Sequence, residues 1–397
     1  MNLEDNVVES PPEQKTIDSW DELNIPEELL RGIYSHGFEK PSEIQKKSIL
    51  PMTEGRDVIA QAQSGMGKTG SFTIGTLSRI DVTKPYVQAL ILSPTHELVK
   101  QTANVVNALG SMMNLRVKTL IGGTSIHNDR DELKSPESCP HVIVGSAGRV
   151  YDMIYRKYLS TNDIKVFVLD EADEMLSQGF KSQIYNIFQM LPSSVQVALF
   201  TATLPENILE LTTKFMRNPV TITMKAEQLS LECIKQYYFA VQNDNMKFDV
   251  LKDLFSMISV SQCIIYCNSV NRVSELYQAM KDDGFSVCAI HSSMNTDERA
   301  KEFANFRSGG FRVLISSNIT ARGIDIQHVS TVINFDIPKC QFTYLHRIGR
   351  SGRWGRKGMA INFVTKQDIH LMRRIEEYYS IAIEELPSNF SEEMRNI

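Results

Sequence analysis

The sequence has no excess of positive charge, no long hydrophobic run and no closely paired cysteines. Lysine and arginine number 42 against 47 acidic residues, which gives a formal net charge of -5. A general basic field therefore cannot explain binding to an anionic polymer, and any contact with nucleic acid must come from individually placed groups. The start of the chain lacks the apolar core of a secretory signal, and we expect no membrane segment.

The six cysteines are scattered along the chain, and none belongs to a Cys-x-x-Cys pair. They are Cys139, Cys233, Cys263, Cys267, Cys288 and Cys340. This spacing argues against a zinc site or disulfides and predicts reduced thiols, as in intracellular proteins. No basic run marks a nuclear signal, so the sequence leaves cytoplasm and nucleus both open.

Short apolar segments alternate with helical patterns along most of the chain. Strands are predicted at 58–60, 89–92, 142–144, 166–169 and 197–201, and again at 263–266, 286–290, 312–315, 331–335 and 360–364. Helices are predicted at 27–36, 42–50, 96–111, 148–155, 205–216, 271–282, 297–306, 342–347 and 369–379. Apolar strands separated by helices indicate parallel α/β sheets. We therefore predict a disordered leader at 1–18, an N-terminal domain at 19–224, a linker at 225–231 and a C-terminal domain at 232–397.

A glycine-containing loop between a predicted strand and a predicted helix carries the strongest motif. It consists of Ala62, Gln63, Ser64, Gly65, Met66, Gly67, Lys68 and Thr69. Its glycines let the backbone turn its N–H groups toward an anion at the helix N-terminus. Lys68 can then reach terminal phosphates, and the Thr69 hydroxyl can bind Mg²⁺. The alternative is an ordinary strand–helix turn that happens to contain glycine.

Two carboxylates follow the predicted strand at 166–169, within Asp170-Glu171-Ala172-Asp173. The carboxyl ends of parallel strands form the edge at which such sheets bind ligands. Asp170 is placed to hold Mg²⁺, and Glu171 to orient or deprotonate an attacking water. The alternative is a solvated acidic loop.

Arginines recur every third residue in His346-Arg347-Ile348-Gly349-Arg350-Ser351-Gly352-Arg353. Guanidinium groups match phosphate oxygens, and arginines supplied by a second body can stabilise a transferring phosphoryl group. The C-terminal domain has no phosphate loop of its own, so it could complete the site of the first. The alternative is a basic face on a solvated helix.

The phosphate loop, Asp-Glu-Ala-Asp and the arginine motif, in this order, resemble a DEAD-box RNA helicase from about Trp20 to about Pro387. Within that family the chain is most similar to the minimal group around translation initiation factor four-A, with its exon-junction and rRNA-processing relatives. The resemblance implies two tandem RecA-like domains, ATP and Mg²⁺ between them, and single-stranded RNA across both. It also implies partner proteins that regulate domain closure, and we expect a monomer.

The resemblance assigns further residues one at a time. Gln45 and Phe38 match the adenine-reading element, Trp20 stands where the family usually has phenylalanine, and Asp325 would touch the ribose. Arg347 and Arg350 would contact the γ-phosphate. Coupling between the ATP and RNA sites would involve Asp173, Thr201, Thr203 and His346. RNA-binding positions would be Pro94, Thr95, Gly123, Ser146, Gly148, Arg149, Asn268, Arg299, Ser317 and Arg322.

The chain departs from the family pattern mainly on the RNA side. His96 replaces arginine, Thr296 replaces glutamine and Asn318 replaces aspartate, whereas Ser146 and Ser317 keep a hydroxyl. Histidine is mostly neutral at pH 7, so a fixed cation is lost at position 96. The alternative is that arginine there only steadies the loop.

Three functions remain open at this point. The first is an RNA-dependent ATPase that separates short duplexes. The second is an ATP-gated RNA clamp or scaffold in a ribonucleoprotein particle, which the altered RNA-side residues favour. The third, a DNA helicase, fits the Asp-Glu-Ala-Asp motif with Gln45 less well.

Overall fold

In a computed structural model, the described residues are 15–177, 179–224, 234–257, 262–321, 329–351 and 358–387. Most of the predicted leader, the predicted linker, and the residues Cys233, Arg322, Asp325 and Arg353 lie outside this part of the chain. The predicted domain boundaries therefore stay predictions.

The first domain contains a parallel sheet of seven strands. These are β1 (Val58–Gln61), β2 (Ala89–Leu92), β3 (Val117–Leu120), β4 (Val142–Gly145), β5 (Val166–Asp170), β6 (Gln196–Thr201) and β7 (Val220–Thr223). They lie in the order β3-β4-β2-β5-β6-β1-β7. The helices are α1 (Glu27–Ser35), α2 (Glu43–Thr53), α3 (Lys68–Leu77), α4 (His96–Leu109), α5 (Ile126–Lys134), α6 (Ala147–Tyr155), α7 (Ala172–Met175), α8 (Lys181–Gln189) and α9 (Glu206–Thr212), with a 3-10 turn at Trp20–Glu22.

The second domain contains another parallel sheet of seven strands. These are β8 (Ile234–Ala240), β9 (Cys263–Tyr266), β10 (Val287–Ile290), β11 (Val313–Ser316), β12 (Thr331–Asn334), β13 (Gly358–Val364) and β14 (Glu384–Glu385). Their order is β10-β11-β9-β12-β13-β8-β14. The helices are α10 (Lys247–Met257), α11 (Val270–Asp282), α12 (Thr296–Arg307), α13 (Gln341–Ile348) and α14 (Ile369–Tyr379), with 3-10 turns at Asp244–Met246 and Asn318–Thr320.

Both faces of the first sheet are covered, as apolar parallel strands require. Along β1, Val58 and Ala60 face one hydrophobic cluster while Ile59 faces another on the opposite side. Two such sheets flanked by helices confirm the predicted fold class. None of the described helices is long and apolar enough to cross a membrane. The five described cysteines are free thiols, as expected.

Several elements differ from the sequence predictions. Helix α2 continues through Pro51 to Thr53 instead of ending at Leu50, and α9 ends at Thr212 instead of Met216. Strands β3, β7, β8 and β14 were not predicted from the pattern. β3, β7 and β8 mix polar with apolar residues and β14 consists of two glutamates, while β3, β7 and β14 lie at sheet edges, where one neighbour is missing. Their positions depend on long-range pairing, which local periodicity does not report.

Candidate active site between the two domains

The phosphate loop joins β1 to α3 and needs its glycines. Gly65 and Gly67 have φ angles of 86° and 98°, in the left-handed region that side chains disfavour. A Cβ atom on Gly67 would lie 2.7 Å from Ser42 Oγ, so a side chain would also collide with α2. Ser42 Oγ donates to the Met66 carbonyl at 2.8 Å, which ties the loop to the start of α2. The sequence pattern placed Ser42 only at the start of the predicted helix 42–50.

Lys68 and Glu171 face each other across the loop. Lys68 is 6% exposed, and its Nζ lies 4.0 Å from Glu171 Oε2. Among the described residues, neither of these two atoms has a hydrogen-bond partner. Buried charged groups without partners are costly. Their position beside an anion-binding loop therefore indicates a ligand that supplies the missing contacts.

The acidic motif lies at the carboxyl end of β5. Asp170 is buried, and Glu171 has a φ angle of 49°, a conformation seldom adopted outside glycine. Burial, followed by the neighbouring Glu171 carboxylate, raises the pKa of Asp170 to about 7. Because a cation beside these oxygens would favour the ionised form, the two carboxylates and the Thr69 hydroxyl suit Mg²⁺.

The predicted adenine-reading residues cluster at the start of α2. Gln45 Oε1 accepts from the Ser42 N–H at 2.8 Å, and Nε2 donates to the Gly67 carbonyl at 3.2 Å. An amide side chain has two N–H groups and two lone pairs, so one of each stays available to a base. Phe38 is partly buried and packs against the hydrophobic core of the first domain.

Trp20 lies behind Phe38 and not at the surface of the site. It is 0% exposed, and its Nε1 donates to the Phe38 carbonyl at 2.9 Å. The two ring centroids are 6.4 Å apart and nearly parallel. The predicted assignment of Trp20 to the ATP-binding residues stays a prediction; in this conformation the indole contacts Phe38, so it would act by positioning Phe38.

A chain of hydrogen bonds crosses between the two domains. Thr201 Oγ1 donates to the Thr203 carbonyl at 2.7 Å, and Thr203 Oγ1 donates to Asp173 Oδ2 at 2.6 Å. The same Asp173 oxygen lies 2.9 Å from His346 Nε2 on α13. All four predicted coupling residues thus lie together and are buried. Arg350 lies next to His346 in the second domain, and its Nε donates to the His346 carbonyl at 3.2 Å.

Arg347 has a different environment from the one predicted. It is 0% exposed, and burial lowers its pKa to about 10. Its five N–H groups donate to Asn318 Oδ1 twice, to the Asp336 carbonyl, and to the side-chain oxygens of Asn334 and Asn268. A guanidinium has only five donors. In this conformation Arg347 has no N–H group left for the predicted γ-phosphate contact, and its five hydrogen bonds join separate segments of the second domain.

A cleft of about 550 Å³ separates the domains on the other side of the hydrogen-bond chain. It brings together five predicted RNA-binding residues: Pro94, Thr95, Asn268, Arg299 and Ser317. Asn268 contributes less than predicted, because its amide bonds Arg347 and the Ile337 carbonyl. Arg299 forms an ion pair across the domains with Glu97.

The other predicted RNA-binding residues of the first domain do not line that cleft. Arg149 forms an ion pair with Asp129 and hydrogen bonds with Thr124. The ion pair neutralises its charge, and these contacts fix the loop after β3. Gly123, in that loop, has a φ angle of 86°. A Cβ there would lie 3.5 Å from Thr296 Oγ1 of the second domain. Ser146 is half-buried at the start of α6, and Gly148 is exposed.

His96 lies in the cleft at the first position of α4. Burial, and then the nearby Arg299, lower its pKa below the usual value. The side chain is therefore neutral at pH 7, as the sequence predicted from its residue type.

Family models match both domains. The DEAD/DEAH box helicase model matches residues 42–211, and the helicase conserved C-terminal domain matches residues 246–355. This chain belongs to the DEAD/DEAH box helicase family. The family predicted from the three motifs is confirmed.

Individual relatives of this helicase align along nearly its whole length. The ATP-dependent RNA helicase eIF4A of Chaetomium globosum is 52% identical over 378 residues, which cover 95% of this chain and 94% of that protein. The structure of S. cerevisiae Dbp5 bound to RNA and ADP BeF3 has a TM-score of 0.88 and 34% identity, covering 96% of this chain and 99% of that chain. A Dbp5 variant bound to a Gle1 variant and IP6 has a TM-score of 0.76 and 35% identity, covering 96% and 97%.

Two acceptors around Arg347, Asn334 and Asp336, are residues of this helicase that the sequence did not single out. Asn334 ends β12 and is 0% exposed, and Asp336 follows it. The signal was present, since a polar residue at the end of an apolar strand needs a buried partner. The sequence did not indicate that this partner would be an arginine of the phosphate-contacting motif.

Proposed function

We propose that this helicase acts on RNA and depends on ATP, closing its two domains on a single strand while ATP lies between them. Relatives named as ATP-dependent RNA helicases and the likeness to a structure bound to RNA and ADP BeF3 support this proposal. The observation that carries it is the contact between His346 and Asp173. It joins the acidic motif of the phosphate site to the other domain, so the two halves act together.

The phosphate loop would bind the ATP phosphates through its backbone N–H groups, which the left-handed glycines Gly65 and Gly67 turn toward the anion. Lys68 Nζ would then donate to the terminal phosphates. Thr69 and Asp170 would hold Mg²⁺, which neutralises charge on the phosphate oxygens. Phe38 would stack on adenine, and Gln45 would bond its edge with the free half of its amide.

Hydrolysis requires an oriented water and stabilisation of charge on the γ-phosphate. Glu171 Oε2 is buried and close to Lys68, so it would accept a hydrogen bond from the water and take its proton. Arg350, held behind His346, would approach the phosphate from the second domain. Asp325 and Arg322 keep their predicted roles at the ribose and the RNA.

RNA would lie in the cleft with most contacts to its backbone, so little base specificity follows. Translation initiation is the process that the eIF4A relatives favour. Protein partners that control closure are part of the proposal, because a related chain is bound to Gle1. We propose that the chain itself is a monomer.

RNA-stimulated phosphate release tests the assignment of Glu171. Glu171→Gln keeps the shape of the side chain but cannot accept a proton, so the stimulated rate should fall at least a hundredfold, the contribution typical of general bases. ATP and RNA binding should persist. Equal rates for the two proteins would remove Glu171 from the mechanism.

An RNA clamp with slow turnover is the second candidate, and the cleft itself favours it. His96 is neutral and Arg149 is neutralised by Asp129, so two cations that could bind RNA phosphates are not available. The clamp predicts RNA retention with ATP but negligible duplex separation by the purified protein. Rapid unaided unwinding would exclude it.

A further inference from the structure

Asn318 lies between the buried Arg347 guanidinium and the open cleft. It begins the 3-10 turn Asn318–Thr320 and is exposed, whereas Arg347 behind it is fully buried. Asn318 Oδ1 accepts from Arg347 Nε at 2.9 Å and from Nη2 at 2.7 Å. The sequence placed Asn318 among the departures on the RNA side but assigned it no contact.

Chemistry fixes the orientation of the Asn318 amide. A guanidinium has donors only, so the side-chain atom that faces Arg347 must be the oxygen. The Nδ2 amino group is then directed away from Arg347, and it has no hydrogen-bond partner among the residues that the structure describes. Because Oδ1 accepts from a cation, the amide is polarised and its N–H groups become stronger donors.

The wall around Asn318 offers further donors. Ser317, Ser292 and Arg299 line the same cleft, and the charge of Arg299 is shared with Glu97. Glu174 contributes a carboxylate to the lining. The hydroxyl and amide donors at this wall match the oxygens of a phosphodiester, which are acceptors only, although the Glu174 carboxylate adds no attraction for them.

We propose that Asn318 Nδ2 donates a hydrogen bond to a phosphate oxygen of the RNA strand in the cleft. This inference rests on the proposed function. An aspartate at this position could bond Arg347 equally well but would present an acceptor to the strand. The asparagine therefore turns a residue that holds Arg347 into one that also binds RNA.

Asn318→Asp separates the two roles, because it keeps the acceptor for Arg347 and removes the donor to RNA. With a non-hydrolysable ATP analogue, we expect its Kd for a labelled single strand to rise about tenfold, the scale of one hydrogen bond to a charged group. The melting temperature should not fall. Asn162→Asp introduces the same charge at an exposed position away from the cleft and should leave the Kd unchanged.

A methylphosphonate scan separates the local contact of Asn318 from the general effect of the added negative charge. With one neutral linkage moved along the strand, the wild type should lose about tenfold in affinity at one position, and Asn318→Asp should lose little there. An equal loss in both proteins, or unchanged affinity of Asn318→Asp, would overturn the inference while the proposed function stands. A wild type that binds no RNA with the ATP analogue would instead overturn the proposed function.

Discussion

At the scale of residues, the ATP side of the site contains buried charged groups that have few partners. Lys68, Asp170 and Glu171 are each less than a tenth exposed, and no cation neutralises the two carboxylates beyond Lys68 among the described residues. Such groups destabilise the empty protein unless a ligand neutralises them. The free energy of ATP and Mg²⁺ binding therefore depends on the protonation of these buried side chains.

Stabilisation by the nucleotide should depend on pH through Asp170. The folded protein holds a proton on Asp170 up to about pH 7, whereas the unfolded carboxyl loses it near 3.8, so this group makes the empty protein less stable as pH rises through that window. Mg²⁺ and ATP need the ionised form. The increase in melting temperature caused by Mg²⁺ and an ATP analogue should therefore be larger at pH 8 than at pH 6.

Asp170→Asn is the control for this pH dependence. It cannot ionise, so the nucleotide-induced shift in melting temperature should be small and alike at both pH values. A wild-type shift that is equal at pH 6 and pH 8 would show that Asp170 is already ionised in the empty protein.

His96 should limit RNA affinity because it is neutral in the cleft. His96→Arg adds one cation, so we expect tighter binding of single-stranded RNA and a salt slope steeper by about 1. Titration of labelled RNA at several salt concentrations measures both. His370→Arg, an exposed position on α14 outside the cleft lining, should change neither. Equal slopes for His96→Arg and wild type would mean that position 96 does not contact RNA.

Residues that belong to a local motif could be placed from the sequence, whereas their roles stay predictions. Lys68 and Glu171 are such cases, since loop and strand fix their positions within a few residues. Arg347, Arg149 and Asn268 were harder, because each is held by partners far along the chain. A motif shows which side chains are present but not which of their donors are already used.

At the scale of elements, Arg347 joins the ends of three strands to a helix. Its partners lie after β9, after β11 and at the end of β12, while Arg347 itself lies on α13. These connections position His346 and Arg350 on the same segment. Alternating apolar strands and helices predicted most of these elements, but strand β8 beside β13 depended on pairing across more than a hundred residues.

Arg347→Ala should destabilise the protein rather than only slow hydrolysis. It removes five hydrogen bonds and leaves the buried side-chain oxygen of Asn334 and the Asp336 carbonyl without the arginine donor, so the free energy of unfolding should fall by about 3 kcal/mol. Urea unfolding followed by circular dichroism measures this. Arg373→Ala removes an ion pair between an exposed arginine and the half-buried Glu376 and should change stability by about 0.5 kcal/mol or less. Wild-type stability of Arg347→Ala would restore Arg347 as a candidate for phosphate contact.

At the scale of the whole molecule, two buried contacts hold the domains together around the site. His346 meets Asp173 beside the phosphate loop, and Arg299 meets Glu97 beside the cleft. The central claim is that hydrolysis requires this closure, because the phosphate loop and Arg350 belong to different domains.

RNA-stimulated phosphate release in a charge-reversal series tests that claim most directly. Arg299→Glu places two carboxylates together at the domain contact, so we expect the stimulated rate to fall at least tenfold while nucleotide binding to the first domain persists. The double variant that also carries Glu97→Arg again has opposite charges at this contact, so it should recover part of the rate. Wild-type stimulation from Arg299→Glu alone would contradict the account, because hydrolysis would then not depend on the closed arrangement.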